Sequence, residues 1–407
     1  MIWLPGREPL QKSEVARISE HTYKSKGKSL CEPLLQPFWN WSSKCVPRKW
    51  APNTLTVAGL AGNAISVALL IYYDPKLNSE LPVCVVLLHI LALFLYQTLD
   101  ALDGLHARRT NTCSQLGELF DHGCDAISMF LLPLGYFCIL GMGSHPSLML
   151  IQFVILNCVF YTSHWQCYVT GVIEFDRFSV TEALLVSMAF SLVTAIFGVG
   201  FWDLKEPILG MELKTMQFVL LVIASFTMFC RFAQTLSAGG TGKYGTTVAN
   251  TSVLFPICPL VLAIGSAVII AVRSPTQLYE NNPSVFLLAF GAVLAKISQN
   301  LTVAHMTKSG IRLCDPVMIG PLCLHINQYF DCPINEKWVL WFSCLWALTD
   351  LLNFSVRVSI QVANHLNLYI FSVSRPPARQ STKKIPSAAS KNNMPSEMRY
   401  LRSGTRK

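Results

Sequence analysis

The stretch from Val83 to Arg109 reads VCVVLLHILALFLYQTLDALDGLHARR. Its first part is apolar for about the 20 residues that a helix needs to cross a bilayer core roughly 30 Å thick. It then turns abruptly charged, with Asp100, Asp103, Arg108 and Arg109 at its end. A short polar link leads to GELFDHGCD, Gly117 to Asp125, which carries Asp121, His122 and Asp125 ahead of a further apolar run. Asp100 and Asp103 are three apart and Asp121 and Asp125 four apart, so on helices each pair projects from one face. The link lets the two helices lie antiparallel with the pairs facing each other.

Working outward, the same apolar pattern recurs along the chain. Of 407 residues, 52% are hydrophobic and 14% charged, against about 25% charged in an ordinary soluble domain; mean hydropathy is +0.42. Spans read as 54–73, 82–102, 126–143, 147–170, 181–202, 216–236, 250–272, 284–306, 313–330 and 338–362. The fold class is therefore all-α, a polytopic integral membrane protein with about ten transmembrane helices. The span at 313–330 is interrupted by Asp315, Pro316 and Pro321. Residues 1–50 form a cytoplasmic or interfacial segment, with Trp39, Trp41 and Trp50 suited to the membrane boundary. Residues 51–365 form the membrane domain, and residues 366–407 a basic, disordered cytoplasmic tail rich in Pro, Ser, Lys and Arg.

The net charge of +9 is concentrated at the two ends, which the positive-inside rule puts in the cytoplasm with an even number of spans between them. Beside so many spans, a basic tail suits anionic lipid headgroups and not nucleic acid. The start of the chain shows no secretory signal. The 14 cysteines make no C-x-x-C pair, and most read as small, reduced, buried hydrophobes. No internal repeat of the transporter kind is evident.

Four carboxylates at close range repel, and an unpaired Asp at the centre of a membrane helix costs roughly 2.5–3.5 kcal/mol. The cluster therefore calls for cations. Hard oxygen ligands favour Mg²⁺ or Mn²⁺, and four Asp side chains suffice for two ions. Such a pair can clamp a pyrophosphate and stabilise both oxygens of an in-line displacement. Gly104, lacking a Cβ, leaves room for close approach to the helix, and Arg108 is placed to pair with phosphate oxygens. A single Asp at a helix end is ordinarily a solvated cap, but four at this spacing, with glycines and an Arg between them, are not explained that way.

These residues match D-x-x-D-G-x-x-A-R-x(8)-G-x-x-x-D-x-x-x-D through Asp100, Asp103, Gly104, Ala107, Arg108, Gly117, Asp121 and Asp125. Chance would place all eight so with a probability on the order of 10⁻⁷. The chain thereby resembles the CDP-alcohol phosphotransferase family. Further runs narrow the resemblance to its eukaryotic cholinephosphotransferase and choline/ethanolaminephosphotransferase branch: Glu20 to Tyr23, Ala51 to Thr56, Ala107 to Asn111, Leu116 to Cys124, Ser163 to Gln166, Gly239 to Thr246 and Val303 to Lys308. It covers roughly residues 10 to 365. Leu105 and His106 depart from the Lys-Gln of close relatives, and Ala126 from a common Ser.

The resemblance implies a ten-helix membrane fold and two Mg²⁺ or Mn²⁺ ions held by Asp100, Asp103, Asp121 and Asp125. It implies transfer of phosphocholine, or phosphoethanolamine, from CDP-choline or CDP-ethanolamine to diacylglycerol, releasing CMP. Asn53 and Arg108 would contact the CDP portion, together with Gly104, Ala107 and Gly117 of the motif, and His122 matches the proton acceptor. It also implies an endoplasmic reticulum or Golgi membrane, a site open to the cytoplasm and a homodimer, which the sequence itself neither supports nor excludes.

An independent argument favours His122 over Asp125 as base. A neutral imidazole, with an ordinary pKa of about 6.5, can take a hydroxyl proton at physiological pH, whereas a metal-bound carboxylate has its lone pairs engaged. Glu182 reads either as a residue approaching the site or as part of a helix cap. Trp165 and Tyr168 read either as a face for a quaternary ammonium or as interface anchors. The alternatives are an ethanolamine-specific or other CDP-alcohol phosphotransferase and, outside this class, an ion-coupled transporter. The latter gives no reason for Gly104, Arg108 and Gly117.

Overall fold

The computed structural model describes residues 8–27, 29–174 and 177–374. The described residues contain thirteen α-helices, with four short 3-10 turns and almost no strand. Before the membrane domain lie α1 (Lys12–Ile18) and α2 (Glu32–Cys45). There follow α3 (Pro52–Tyr73), α4 (Val83–Thr110), α5 (Gln115–Leu140), α6 (Pro146–Thr170), α7 (Val180–Phe197) and α8 (Leu213–Ala238). Then come α9 (Ile257–Arg273), α10 (Leu278–Asn281), α11 (Pro283–Thr307), α12 (Ile319–Tyr329) and α13 (Glu336–Leu366).

Eight helices, α3 to α8, α11 and α13, are long and apolar enough to cross a membrane. The remaining two of the ten expected spans look different. The stretch 250–272 folds as the 17-residue α9, and 313–330 as a 3-10 turn at Pro316–Met318 followed by the 11-residue α12. At about 1.5 Å per residue, α12 rises only about half a bilayer core. The interruption has a local cause. Asp315 accepts from the amide of Val317 at 3.0 Å and caps the turn. Asp315 is also held by the Lys296 ammonium at 3.2 Å and the Asn300 amide at 2.7 Å, while Lys296 reaches Asp350 of α13 at 2.5 Å. A fully buried Lys thus has two carboxylates as partners, the arrangement that makes a charge tolerable inside a bundle.

The core runs along α5, α6, α11 and α13, with α11 the most enclosed helix. Lipid tails are as apolar as these side chains, so close backbone approach and dispersion hold such helices together. Two glycines permit it. A Cβ on Gly291 of α11 would stand 2.3 Å from Phe130 Cβ of α5, and a Cβ on Gly59 of α3 would stand 3.4 Å from the Tyr96 Cα of α4. α3 packs along both α4 and α5, which touch each other little beyond the turn that joins them.

The chain closes over one end of this bundle. Arg17 of α1 donates to the Thr307 carbonyl at the end of α11, and Gln361 of α13 brackets Leu10 with bonds of 3.0 and 2.8 Å. A two-residue parallel ladder pairs β1 (Ser25–Lys26) with β2 (Ile173–Glu174) beyond α6. Arg109 at the end of α4 donates to the carbonyls of Ser43 and Val46, fixing α2. After α13, Asn367 adopts a left-handed conformation, φ 54°, and turns the chain back so that Leu368 and Ile370 pack with Leu366 on the bundle end. The basic stretch from 375 to 407, where the sequence reading puts most of the tail, lies outside the described residues.

Candidate metal and nucleotide site

The helix breaks set up the site. α4 ends at Asn111, which takes the left-handed conformation at φ 55°, and α5 begins at Ser114, whose hydroxyl accepts from the amide of Gly117 at 3.2 Å. The turn between them brings the last third of α4 beside the first turns of α5. Carboxylate oxygens of Asp100, Asp103 and Asp121 lie within 4.8 Å of one another, a spacing that a divalent cation can bridge.

Asp125 lies in electrostatic range of Asp100 and Asp103 but stands outside that triplet; its Oδ1 accepts from the Tyr96 hydroxyl at 3.3 Å. Asp103 is oriented by α3, where the Thr56 hydroxyl donates to its Oδ2 at 2.6 Å. Three hard, anionic oxygen donors converge here, and the Arg108 guanidinium folds back over Gly104, with Nη1 3.5 Å from where a Cβ would stand. The donor set suits Mg²⁺ or Mn²⁺ and offers nothing soft for a thiophilic metal. The family is divalent-metal dependent, and the residues present fit that requirement.

The other motif members take their places around this centre. The Ala107 carbonyl accepts from the Thr112 amide at 2.9 Å and so closes the end of α4. Gly117 faces Asn53 of α3: a Cβ there would lie 3.9 Å from Asn53 Oδ1. Asn53 is buried and donates through Nδ2 to the Ile370 carbonyl at 3.0 Å. His106, one of the departures from close relatives, bonds the Trp50 carbonyl at 3.0 Å.

His122 sits beside Asp121 at the edge of a histidine cluster. Its ring meets His164 edge-on at 5.5 Å, and His305 meets His21 edge-on at 5.2 Å. His21 is paired through Nε2 with Glu118 at 2.8 Å. Tyr23 lies 6.1 Å from His122. Partial burial pushes its phenol up to about 12, with the carboxylates of Asp121 and Glu118 adding to the effect, so it stays protonated and cannot serve as a base near neutrality.

Several orienting residues were not among those picked from the sequence. Thr56 lay inside a matched run, and Tyr96 stands one helical turn before Asp100 on the same face, a signal that was available. Gln299, whose Nε2 donates to the Gly123 carbonyl at 2.9 Å from α11, carried no local signal at all. Conversely, Glu182 is engaged in capping: it takes the Ser179 amide at 2.7 Å in a capping box and the Cys31 amide at 2.7 Å. Trp165 donates its indole N–H to the Val253 carbonyl at 2.7 Å, and Tyr168 its hydroxyl to the Ser309 carbonyl at 2.9 Å. Both are almost wholly buried and fasten α6 to the loops around it.

Comparison with known proteins agrees with this picture. The CDP-alcohol phosphatidyltransferase family model matches residues 49–229. Cholinephosphotransferase 1 of Danio rerio is 42% identical over 367 residues, which is 90% of this chain and 96% of that protein. Cholinephosphotransferase 1 of Homo sapiens is 39% identical over 394 residues, 96% of this chain and 97% of that protein. Choline/ethanolaminephosphotransferase 2 of Arabidopsis thaliana is 30% identical over 384 residues, 89% of this chain and 97% of that protein. With identity of this order across nearly the whole length of its relatives, the chain belongs to the CDP-alcohol phosphatidyltransferase family of membrane-embedded transferases.

Proposed function

We infer that the protein transfers phosphocholine from CDP-choline to diacylglycerol, giving phosphatidylcholine and CMP. The observation that carries this reading is the convergence of Asp100, Asp103 and Asp121 within 4.8 Å, at helix ends, in a chain that matches a cholinephosphotransferase over 90% of its length. Asp100, Asp103, Asp121 and Asp125 would hold two Mg²⁺ or Mn²⁺ ions. Bound there, the ions would supply charge neutralisation for the donor's pyrophosphate and for the departing CMP. Arg108, on its flexible stem over Gly104, adds guanidinium hydrogen bonds to phosphate oxygens. Asn53 and Gly117 form the wall between α3 and α5 against which the nucleotide lies, with Gly104 and Ala107 leaving its other side open.

The acceptor hydroxyl attacks the phosphorus that carries choline. A new P–O bond forms, the bond to the CMP phosphate oxygen breaks, and the hydroxyl proton passes to an imidazole nitrogen of His122. His122 is adjacent to the acidic cluster yet is not one of its carboxylates, so its lone pair remains available. A direct displacement needs no covalent enzyme intermediate. Diacylglycerol, being a lipid, enters from the bilayer side.

The site opens to the cytoplasm of an endoplasmic reticulum or Golgi membrane. Arg108 and Arg109 at its rim support that orientation, as does the basic segment before α3. The match to a choline/ethanolaminephosphotransferase favours a second donor, CDP-ethanolamine, at the same site. Purified protein given labelled CDP-choline and CDP-ethanolamine in parallel, with diacylglycerol and Mg²⁺, should release CMP and form the corresponding phospholipid. Lack of either product from both donors would refute the assignment. Cross-linking in native membranes tests the homodimer.

A further inference from the structure

The segment that follows α13 is placed on the nucleotide wall. Leu366, the last residue of α13, and Leu368 and Ile370 of the strap that follows it pack into the cluster formed by Leu10, Val15, Leu116 and Val362. The strap then touches both sides of the site. The Ile370 carbonyl receives the Asn53 Nδ2 hydrogen bond at 3.0 Å from α3, and Phe371 meets Phe120 of α5 edge-on at 5.8 Å. Phe120 directly precedes Asp121.

This contact decides how Asn53 presents itself. A backbone carbonyl has no hydrogen to give, so only the NH₂ of the Asn53 amide can face Ile370. The amide oxygen is thereby turned the other way, towards Gly117, where the missing Cβ leaves space. Without the strap the amide could rotate and offer either group. With it, Asn53 is fixed as a hydrogen-bond acceptor.

We propose that the strap Leu368–Ser372 is the outer wall of the nucleotide site and that the Ile370 carbonyl is a positioning group, holding Asn53 Oδ1 ready to accept from a donor edge of the nucleotide. This rests on the nucleotide reading of the site given above. Two groups of a cytidine nucleotide have the required chemistry, the 4-amino group of the base and the ribose hydroxyls.

The test compares the full chain, a chain ended after Ser374, which keeps the strap, and a chain ended after Asn367, which loses it. CMP affinity is read by thermal stabilisation of the purified protein in detergent with Mg²⁺, and KM is measured for CDP-choline and for diacylglycerol. Ending after Ser374 should change each quantity less than twofold. Ending after Asn367 should weaken CMP about tenfold and raise the CDP-choline KM in parallel, with the diacylglycerol KM within twofold.

Unchanged CMP affinity after loss of the strap overturns the proposal. So does tighter CMP binding, the mark of a plug, or an equal rise in both KM values, the mark of general loosening. Should the shorter chain fail to fold, Phe371→Ala, at a half-exposed ring, replaces it with an expected weakening of about threefold and the same contrary outcomes. UMP, 2′-deoxy-CMP and 3′-deoxy-CMP, tested on the full chain, identify which donor group Asn53 meets; equal affinity for all three and for CMP contradicts the acceptor role. Turnover of CDP-choline by the full chain tests the activity itself, so a failure there is distinct from a failure of the strap.

Discussion

The Thr56 hydroxyl lies 2.6 Å from Asp103 Oδ2, joining α3 to α4 at the acidic cluster. This bond ties a helix without a motif carboxylate to the orientation of one that carries two. A hydrogen bond to a charged acceptor is worth about 1.5–3 kcal/mol. Thr56→Val keeps the shape of the side chain and removes the donor. It should raise the Mg²⁺ concentration needed for half-maximal turnover on the order of tenfold, with maximal turnover largely recovered at saturating metal. An unchanged metal requirement would show that Asp103 needs no such support.

Asp121→Asn removes one anionic oxygen from the converging triplet while keeping its size. CMP release should fall below detection, with the protein still inserted and monodisperse in detergent. Turnover retained at ordinary Mg²⁺ would rule out a metal-holding role for Asp121.

His122→Ala should slow turnover about 10²–10⁴-fold, the usual contribution of a positioned acid–base group. Binding of CDP-choline, followed separately by thermal stabilisation, should change only a few-fold. Equal losses in binding and turnover would mean that the imidazole serves to support Asp121 and the helix instead of taking the proton.

The close approach of α11 to α5 is testable by stability alone. A methyl group at Gly291 would stand 2.3 Å from Phe130 Cβ, where neither helix backbone can give way cheaply. Gly291→Ala should cost about 1–3 kcal/mol, as overpacking typically does, and lower the thermal midpoint in detergent. Adding Phe130→Ala should not restore the midpoint, because alanine keeps the Cβ in contact and the buried ring leaves a cavity. A midpoint unaffected by Gly291→Ala would contradict the packing described.

Much of this architecture is legible in the sequence because helical periodicity and hydropathy are local. The pairing of Asp100 with Asp103 follows from their spacing alone, and the eight long apolar helices announce themselves by length. What escapes is long-range. Nothing near Asp103 points to Thr56, 47 residues earlier, nor near Glu118 to His21, 97 residues earlier. The placement of Asp125 beside Tyr96 and outside the tight triplet depends on how α3 packs along both α4 and α5, and spacing does not carry that. Where Asp315 and Pro316 break the apolar run at 313–330, the sequence signals an interruption but not its partner, Lys296, buried in α11. The return of the chain after α13 to Asn53 spans 317 residues and has no local signature.

The metal requirement of turnover tests the central claim most directly. Purified protein with CDP-choline and diacylglycerol should release CMP in step with phosphatidylcholine, stop on chelation of divalent ions, and resume when Mg²⁺ or Mn²⁺ is restored. Turnover that persists after complete chelation would contradict the account of how Asp100, Asp103 and Asp121 work.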